Sequence, residues 1–197
     1  MGKGQTHISD ISCACAPQEL NKAIATMPCI CGDRTFCGDL DIRIDTSGIW
    51  HYNKVPVTCP DMVKLLSSML KLDEKEQHWL VTPTEVGRIT VEDAPFVIDD
   101  FHVSGQGEEQ IICVCTNTED VVCLCEKSPL IIKPSAVTNQ LSPYIIIGEG
   151  LSAKIPHDLF AQLKKLGATR TINDTQSFGL WSSSAFFSLG PRLTTHT

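Results

Sequence analysis

The sequence predicts an α+β protein of two small antiparallel-sheet-plus-helix domains related by internal duplication, and three observations predict it. A strand–turn–strand–proline–helix–strand pattern runs from Asp41 through Gly48 and Pro60 to Trp79-Leu80-Val81, and again from Pro143 through Gly150 and Pro156 to Trp181. The spacing is kept: Gly48 to Gly150 and Trp79 to Trp181 are both 102 positions, while Pro60 to Pro156 is 96. Strand patterns outnumber helical ones and do not alternate with them, which favours α+β. The period is too long for a solenoid. Two packed copies are therefore expected, with an internal interface of the kind ligands use. The expected division is an N-terminal tail and helix over 1–27, a first domain over 28–97, a second over 98–190 and a disordered tail over 191–197.

Pro17 to Met27 reads as a helix, with Leu20, Ala23, Ile24 and Met27 at helical spacing and Pro28 ending it. Asp39 to Asp45 alternates strictly, Leu40, Ile42 and Ile44 against Asp39, Asp41, Arg43 and Asp45, the pattern of a half-buried strand. Asp45-Thr46-Ser47-Gly48 is a turn, and Ile49 to Tyr52 returns as the partner strand. Pro60 fits the first position of a helix whose stripe is Met62, Leu65, Leu66, Met69 and Leu70, ended by the charged loop from Asp73 to Glu76. Strands follow over Trp79–Thr82, Arg88–Val91, Phe96–Val103, Gln110–Cys115 and Val121–Glu126. In the second copy Leu159, Phe160, Leu163 and Leu166 give the helix its stripe, with Gly167 as its C-terminal cap, before a last apolar segment over Phe178–Leu189.

At 42% hydrophobic and 20% charged, 197 residues read as a soluble globular protein. No stretch approaches the roughly 18 apolar residues of a membrane span. The first ten residues lack a signal peptide's apolar core, so a cytoplasmic location is expected. Met1 to Thr6 formally matches a myristoylation pattern, but no polybasic patch supplies a second anchor. A net charge of −7 argues against a nucleic-acid partner.

Eight of the ten cysteines form four Cys-x-Cys pairs, at 13/15, 29/31, 113/115 and 123/125; Cys37 and Cys59 stand alone. Without a secretory signal a disulfide framework is not expected. Antiparallel pairing of the last two pairs would bring four thiols to one face, a candidate zinc site of Cys113, Cys115, Cys123 and Cys125. Strand-core cysteine is the stronger reading, because Cys-x-Cys is not the usual zinc spacing.

No phosphate loop, dinucleotide fingerprint, His-Glu-x-x-His motif or nucleophile elbow is present, and the six histidines have no ligand spacing. His51 and His78 read as surface strand residues. Asp39, Asp41 and Asp45 could hold a hard cation, but Arg43 on their face favours a salt-bridged sheet. Glu92-Asp93-Ala94-Pro95 reads as a turn at the domain junction, and Thr116 to Asp120 as a turn closed by side-chain-to-backbone bonds.

Several strings together resemble the bacterial domain-of-unknown-function family 1285. They are Phe36 to Ile44 with Gly48-Ile49-Trp50, Val81-Thr82-Pro83 with Glu85, Val91 to Phe96, Thr116-Asn117, Pro143-Tyr144, and Leu180-Trp181-Ser182 with Ala185-Phe186-Phe187. The resemblance spans roughly Met27 to Leu189. It implies two duplicated α+β domains, the C-terminal half loosely pleckstrin-homology-like. For that family a nucleotide-like ligand between the domains and a signalling role have been suggested, and no activity is established. This chain has Cys59 and Gly148 where the family pattern has Arg, and Val86 where it has Lys, which weakens the case for an anionic ligand.

The function expected is a non-enzymatic ligand-binding or regulatory protein without a cofactor; nothing in the sequence fixes an oligomeric state. The candidate ligand residues are Gly38, Asp39, Asp41, Arg43, Thr82, Glu85, Glu92, Asp93, Trp181 and Ser182, which the duplication would turn towards a shared interface. Arg43 is their only cation and is expected either to hold an anionic group or to pair with Asp41 or Glu85. The alternatives are a protein-interaction module without a small ligand, or a metal-binding protein using the four cysteines or Asp39 and Asp41.

Overall fold

The computed structural model describes residues 35–172 and 175–191. The helix expected over Pro17–Met27, the pairs Cys13/Cys15 and Cys29/Cys31, and residues 192–197 lie outside them. The chain divides into two compact units between Asp93 and Ala94.

Among the described residues, the first unit is one six-stranded sheet and a helix. Strands β1 (Thr35–Ile44), β2 (Trp50–Tyr52), β3 (Val55–Pro56), β4 (Leu70–Leu72), β5 (His78–Val81) and β6 (Glu85–Val91) lie in the order β3-β2-β1-β6-β5-β4. The β1–β2 hairpin is antiparallel, whereas β1 and β6, the two central strands, run parallel. Alternation does what the sequence implies: Leu40, Ile42 and Ile44 are buried, with Trp50, Leu80 and Ile89 beside them in the core. Helix α1 (Pro60–Ser68) adds Met62 and Leu66 to that core. Proline at its first position fits, because that residue has no intrahelical donor to lose.

Helix α1 is shorter than the apolar stripe suggests. Its last turn ends as Ser67 and Ser68 donate to the carbonyls of Lys64 (2.9 Å) and Leu65 (2.7 Å), side-chain bonds that compete with helical ones. The chain then turns at Met69, and Leu70 enters β4 instead of extending the helix.

The described residues of the second unit form nine strands in two sheets. One orders β10-β11-β12-β7-β8-β9, from β7 (Phe96–Ser104), β8 (Ile111–Thr116), β9 (Val121–Cys123), β10 (Leu130–Pro134), β11 (Leu141–Ile147) and β12 (Leu151–Lys154). The other is the antiparallel meander β13 (Ala168–Ile172), β14 (Thr175–Ser182) and β15 (Ala185–Pro191). Helix α2 (His157–Leu163) buries Leu159 and Leu163. Gly167 does not cap it in a left-handed conformation, as the sequence suggested; its φ is −70°. Glycine stands there for space, since a Cβ would meet the Phe178 ring at 2.2 Å.

The cysteine expectations need correction. Hairpin β8–β9 is antiparallel, but four thiols do not converge. Cys113 faces Cys123 and is joined to it by a disulfide, while Cys115 faces Val121. Cys37 and Cys59 are disulfide-bonded too. Nor are the hairpin's cysteines core: Cys123 is exposed and Cys113, Cys115 and Cys125 are half-buried. The facing position brings two Cβ atoms closest when the residues exchange no ladder hydrogen bonds, which is the geometry of Cys113 and Cys123.

Candidate functional site in the first unit

The polar face of the first sheet is built by β1. Gly38, at φ +70°, takes a left-handed conformation, and the β1–β6 register shifts once between Phe36 and Asp39 and again between Asp39 and Arg43. Such bulges re-aim side chains next to sites. Here they set Asp39 beside Arg88 and Arg43 beside Thr90.

Asp39 and Arg88 meet as a two-pronged fork, Nε to Oδ1 at 2.5 Å and Nη2 to Oδ2 at 2.9 Å. Arg88 Nη1 also donates to Gln77 Oε1 at 3.3 Å. The guanidinium lies 5.9 Å from the centre of the Trp79 ring, with Phe36 at 6.1 Å on that indole and itself 57% exposed. Trp79 is fixed from behind, as its Nε1–H donates to Asp73 Oδ2 at 2.9 Å. Asp73 Oδ1 accepts the Lys75 and Gln77 amides, both at 2.8 Å. The Arg88 bond and charge hold the Asp39 carboxyl below its usual range, and the Gln77 amide, Trp79 indole and Lys75 amide do the same for Asp73. Asp39 in turn raises Arg88.

Beside this fork lies a groove of about 420 Å³, lined among others by Asp39, Glu76, Gln77, His78, Arg88 and Thr90. Its charged lining is Asp39 and Glu76 against Arg88. It can therefore meet a ligand's donors with carboxylate and amide oxygens, and its acceptors with one guanidinium.

A second cluster closes the other end of β1. Arg43 Nη1 pairs with Glu92 Oε1, and Glu92 Oε2 accepts the Thr46 amide at 3.1 Å. The Arg43 partner is thus Glu92, not Asp41 or Glu85. Asp45 Oδ1 accepts the Ser47 and Ile49 amides at 2.9 and 3.1 Å, and its Oδ2 lies 2.8 Å from His51 Nε2. His51 is consequently a half-buried partner of Asp45 and not a loose surface residue, and His78 lines the groove. Burial raises the Asp45 pKa, but the bonds from His51, Ile49 and Ser47 outweigh it and leave that pKa lowered. Asp39 and Asp45 are thus engaged separately, and among the described residues no three His, Cys, Asp or Glu side chains could hold a metal ion together.

The sequence-derived candidates do not all gather. Gly38, Asp39, Asp41 and Arg43 share β1, with Asp41 exposed. Thr82 and Glu85 are buried in the β5–β6 turn, where Thr82 Oγ1 accepts the Glu85 amide at 2.8 Å. Glu85 begins β6 and Glu92 follows its end, about 23 Å apart along a strand. Asp93 is half-buried beside Glu92. Trp181 and Ser182 belong to the second unit. Trp181 packs on Phe186 at 5.3 Å beneath the Arg170 guanidinium at 4.9 Å. Ser182 is fully buried; its Oγ accepts the Ile112 amide (2.9 Å) and donates to the Leu124 carbonyl (2.8 Å).

Arg88, Gln77, Trp79 and Phe36 are the site residues that sequence reasoning misses. The available signal was alternation in β6, where Val86, Arg88 and Thr90 oppose Gly87, Ile89 and Val91. Only the parallel pairing of β6 with β1 brings that polar row to Asp39.

No curated protein matches the chain. Among solved structures it is similar to a DUF1285 family protein from Silicibacter pomeroyi DSS-3, at 40% identity and a TM-score of 0.73 over 81% of this chain and 84% of that one. It is also similar to a DUF1285 family protein from Shewanella baltica OS155, at 25% identity and a TM-score of 0.50 over 62% and 89%. Residues 32–94 match "Domain of unknown function (DUF1285), N-terminal domain", and residues 95–189 match "Protein of unknown function (DUF1285), C-terminal domain". The chain, a two-domain protein of sheets with few helices, belongs to the DUF1285 family.

Proposed function

We propose that this chain is a non-enzymatic, cytoplasmic ligand-binding protein of regulatory or signalling type, and that its first unit takes a small polar ring compound in the groove beside Asp39 and Arg88. The observation that carries the reading is the Asp39–Arg88 fork, oriented by Gln77, laid against Trp79 and opening onto the groove. A nucleobase edge has the matching alternation of donors and acceptors. Asp39 and Gln77 accept from its amino and ring N–H groups, and Arg88 donates to its ring nitrogens and carbonyls. The acidic balance of the groove favours the base over the phosphate of a nucleotide-like ligand. An anionic tail runs along β1 towards Arg43, which is 40% exposed and must leave Glu92 to meet it.

The proposal retains the duplication. Both units contain a hairpin, a proline-led helix and three antiparallel strands in the same chain order: β1-β2, α1 and β4-β5-β6, then β11-β12, α2 and β13-β14-β15. They differ in pairing, because β1 takes β6 as its parallel neighbour whereas β12 takes β7. The pleckstrin-homology-like character of the second unit belongs to the same proposal and rests on the family resemblance.

The test is a thermal-shift panel of the four common ribonucleosides and their 5′-monophosphates on the wild type, Arg43→Ala and Arg43→Lys. A ligand at 100 times its dissociation constant adds about 2.7 kcal/mol. We expect nucleosides to stabilise all three proteins, and monophosphates to gain over nucleosides only where residue 43 is Arg. The absence of any shift overturns the reading; an equal monophosphate gain in all three removes Arg43 from the site.

A further inference from the structure

Four cysteines of one hairpin in the second unit stand in two chemical states. Cys113 and Cys123 are joined by a disulfide with their Cα atoms 3.9 Å apart, whereas Cys115 and Cys125 are free, half-buried thiols. Cys115 is two residues beyond Cys113 on β8, so strand alternation puts both on one face, while Cys125 follows the end of β9 in an isolated bridge with Ser128. Strand β9 is three residues long and lies at the edge of its sheet. The bridge is thus a covalent hold on a short edge strand, and Cys123 is its exposed end.

The next ladder pair behind the bridge is not an ordinary one. Leu124 N–H donates to the Ile112 carbonyl at 2.9 Å. The reciprocal bond is replaced by a relay: Ile112 N–H donates to Ser182 Oγ, whose hydroxyl donates to the Leu124 carbonyl. Strand β14 is therefore keyed into the β8–β9 ladder one residue from the disulfide.

We propose that the β8–β9 hairpin is a thiol–disulfide exchange site that couples ambient redox state to the order of β9 and, through Ser182, to β14. A small thiol or dithiol attacks the exposed Cys123 Sγ as its thiolate. The Cys113–Cys123 bond breaks, Cys113 leaves as a thiolate and takes a proton, and a mixed disulfide forms on Cys123. A second thiol then attacks the reductant's sulfur in that mixed disulfide and releases the Cys123 thiol. Two external thiols become one disulfide, and the protein gains two electrons and two protons. Reduction leaves four thiols at residues 113, 115, 123 and 125, and β9 keeps only its ladder bonds.

The full chain, equilibrated in glutathione buffers from oxidising to reducing, tests this by peptide mapping and amide hydrogen exchange. The expected result is a reversible 113–123 cross-link, with exchange over residues 121–124 rising about tenfold or more on reduction. In Cys113→Ser/Cys123→Ser that exchange is fast in both buffers. Cys115→Ser/Cys125→Ser keeps the bridge and must keep the response, which guards against a folding failure of the first variant. The proposal is overturned if residues 113 and 123 stay free thiols in oxidised glutathione, or if exchange over 121–124 ignores reduction. It is equally overturned if the reduced chain binds zinc in a one-to-one complex that masks all four thiols, since the hairpin is then a metal site.

Discussion

Ser182 is a fully buried polar residue of the second unit whose loss is costly. Its hydroxyl serves one donor and one acceptor that are both buried, the Ile112 amide and the Leu124 carbonyl. Ser182→Ala leaves both unpartnered, at about 1–3 kcal/mol each. A loss of about 2–6 kcal/mol in a urea melt is expected, against about 1 kcal/mol for Arg43→Ala, whose pair with Glu92 is only half-buried. Asp39, Asp45 and Asp73 all have folded pKa values below the ordinary 3.8. A carboxylate lowered on folding contributes stability above its unfolded pKa and loses it as pH falls through the folded one. These three groups therefore leave stability flat from neutral pH to about pH 5 and erode it below about pH 4. Melting temperature measured against pH on Asp45→Asn, which cannot ionise, should show a shallower acid limb than the wild type.

Two glycines decide how elements meet, for different reasons. Gly38 supplies the left-handed residue at the first β1 bulge, with no atom near its missing Cβ. Gly38→Ala should cost about 1 kcal/mol through backbone strain alone. At Gly167 the backbone is unstrained, but an added methyl would strike Phe178 and sit 2.9 Å from the Lys164 carbonyl. Gly167→Ala should cost about 1–3 kcal/mol, and denaturant melts of the two variants measure both. Elements with a strong local period were legible in the sequence. Strand β1 announced itself by strict alternation and α1 by proline and an apolar stripe. Strand β4 was not legible, because Leu70 to Leu72 continue the helical stripe and only the serine bonds of the last turn end it. The Cys113–Cys123 bridge was not legible, because Cys-x-Cys spacing does not say which cysteines face each other across the hairpin.

Across the whole molecule, the family and the two-unit organisation could be read from ordered strings of residues, but the composition of the candidate site could not. Parallel pairing of β1 with β6 joins residues 49 positions apart, Asp39 with Arg88 and Arg43 with Glu92, and no local pattern encodes such partners. That pairing moves the leading cation of the proposed site from Arg43 to Arg88. No helix among the described residues is long and apolar enough to cross a membrane. The central claim is that the groove beside the Asp39–Arg88 fork binds a ligand through a nucleobase-like edge. Differential scanning calorimetry of the wild type and Arg88→Ala with saturating ribonucleosides tests it most directly. The account predicts a rise of about 5–10 °C for the wild type with at least one nucleoside, and none for Arg88→Ala, which should melt within a few degrees of the wild type when both are free. Equal stabilisation of the two proteins, or no stabilisation of either, would contradict it.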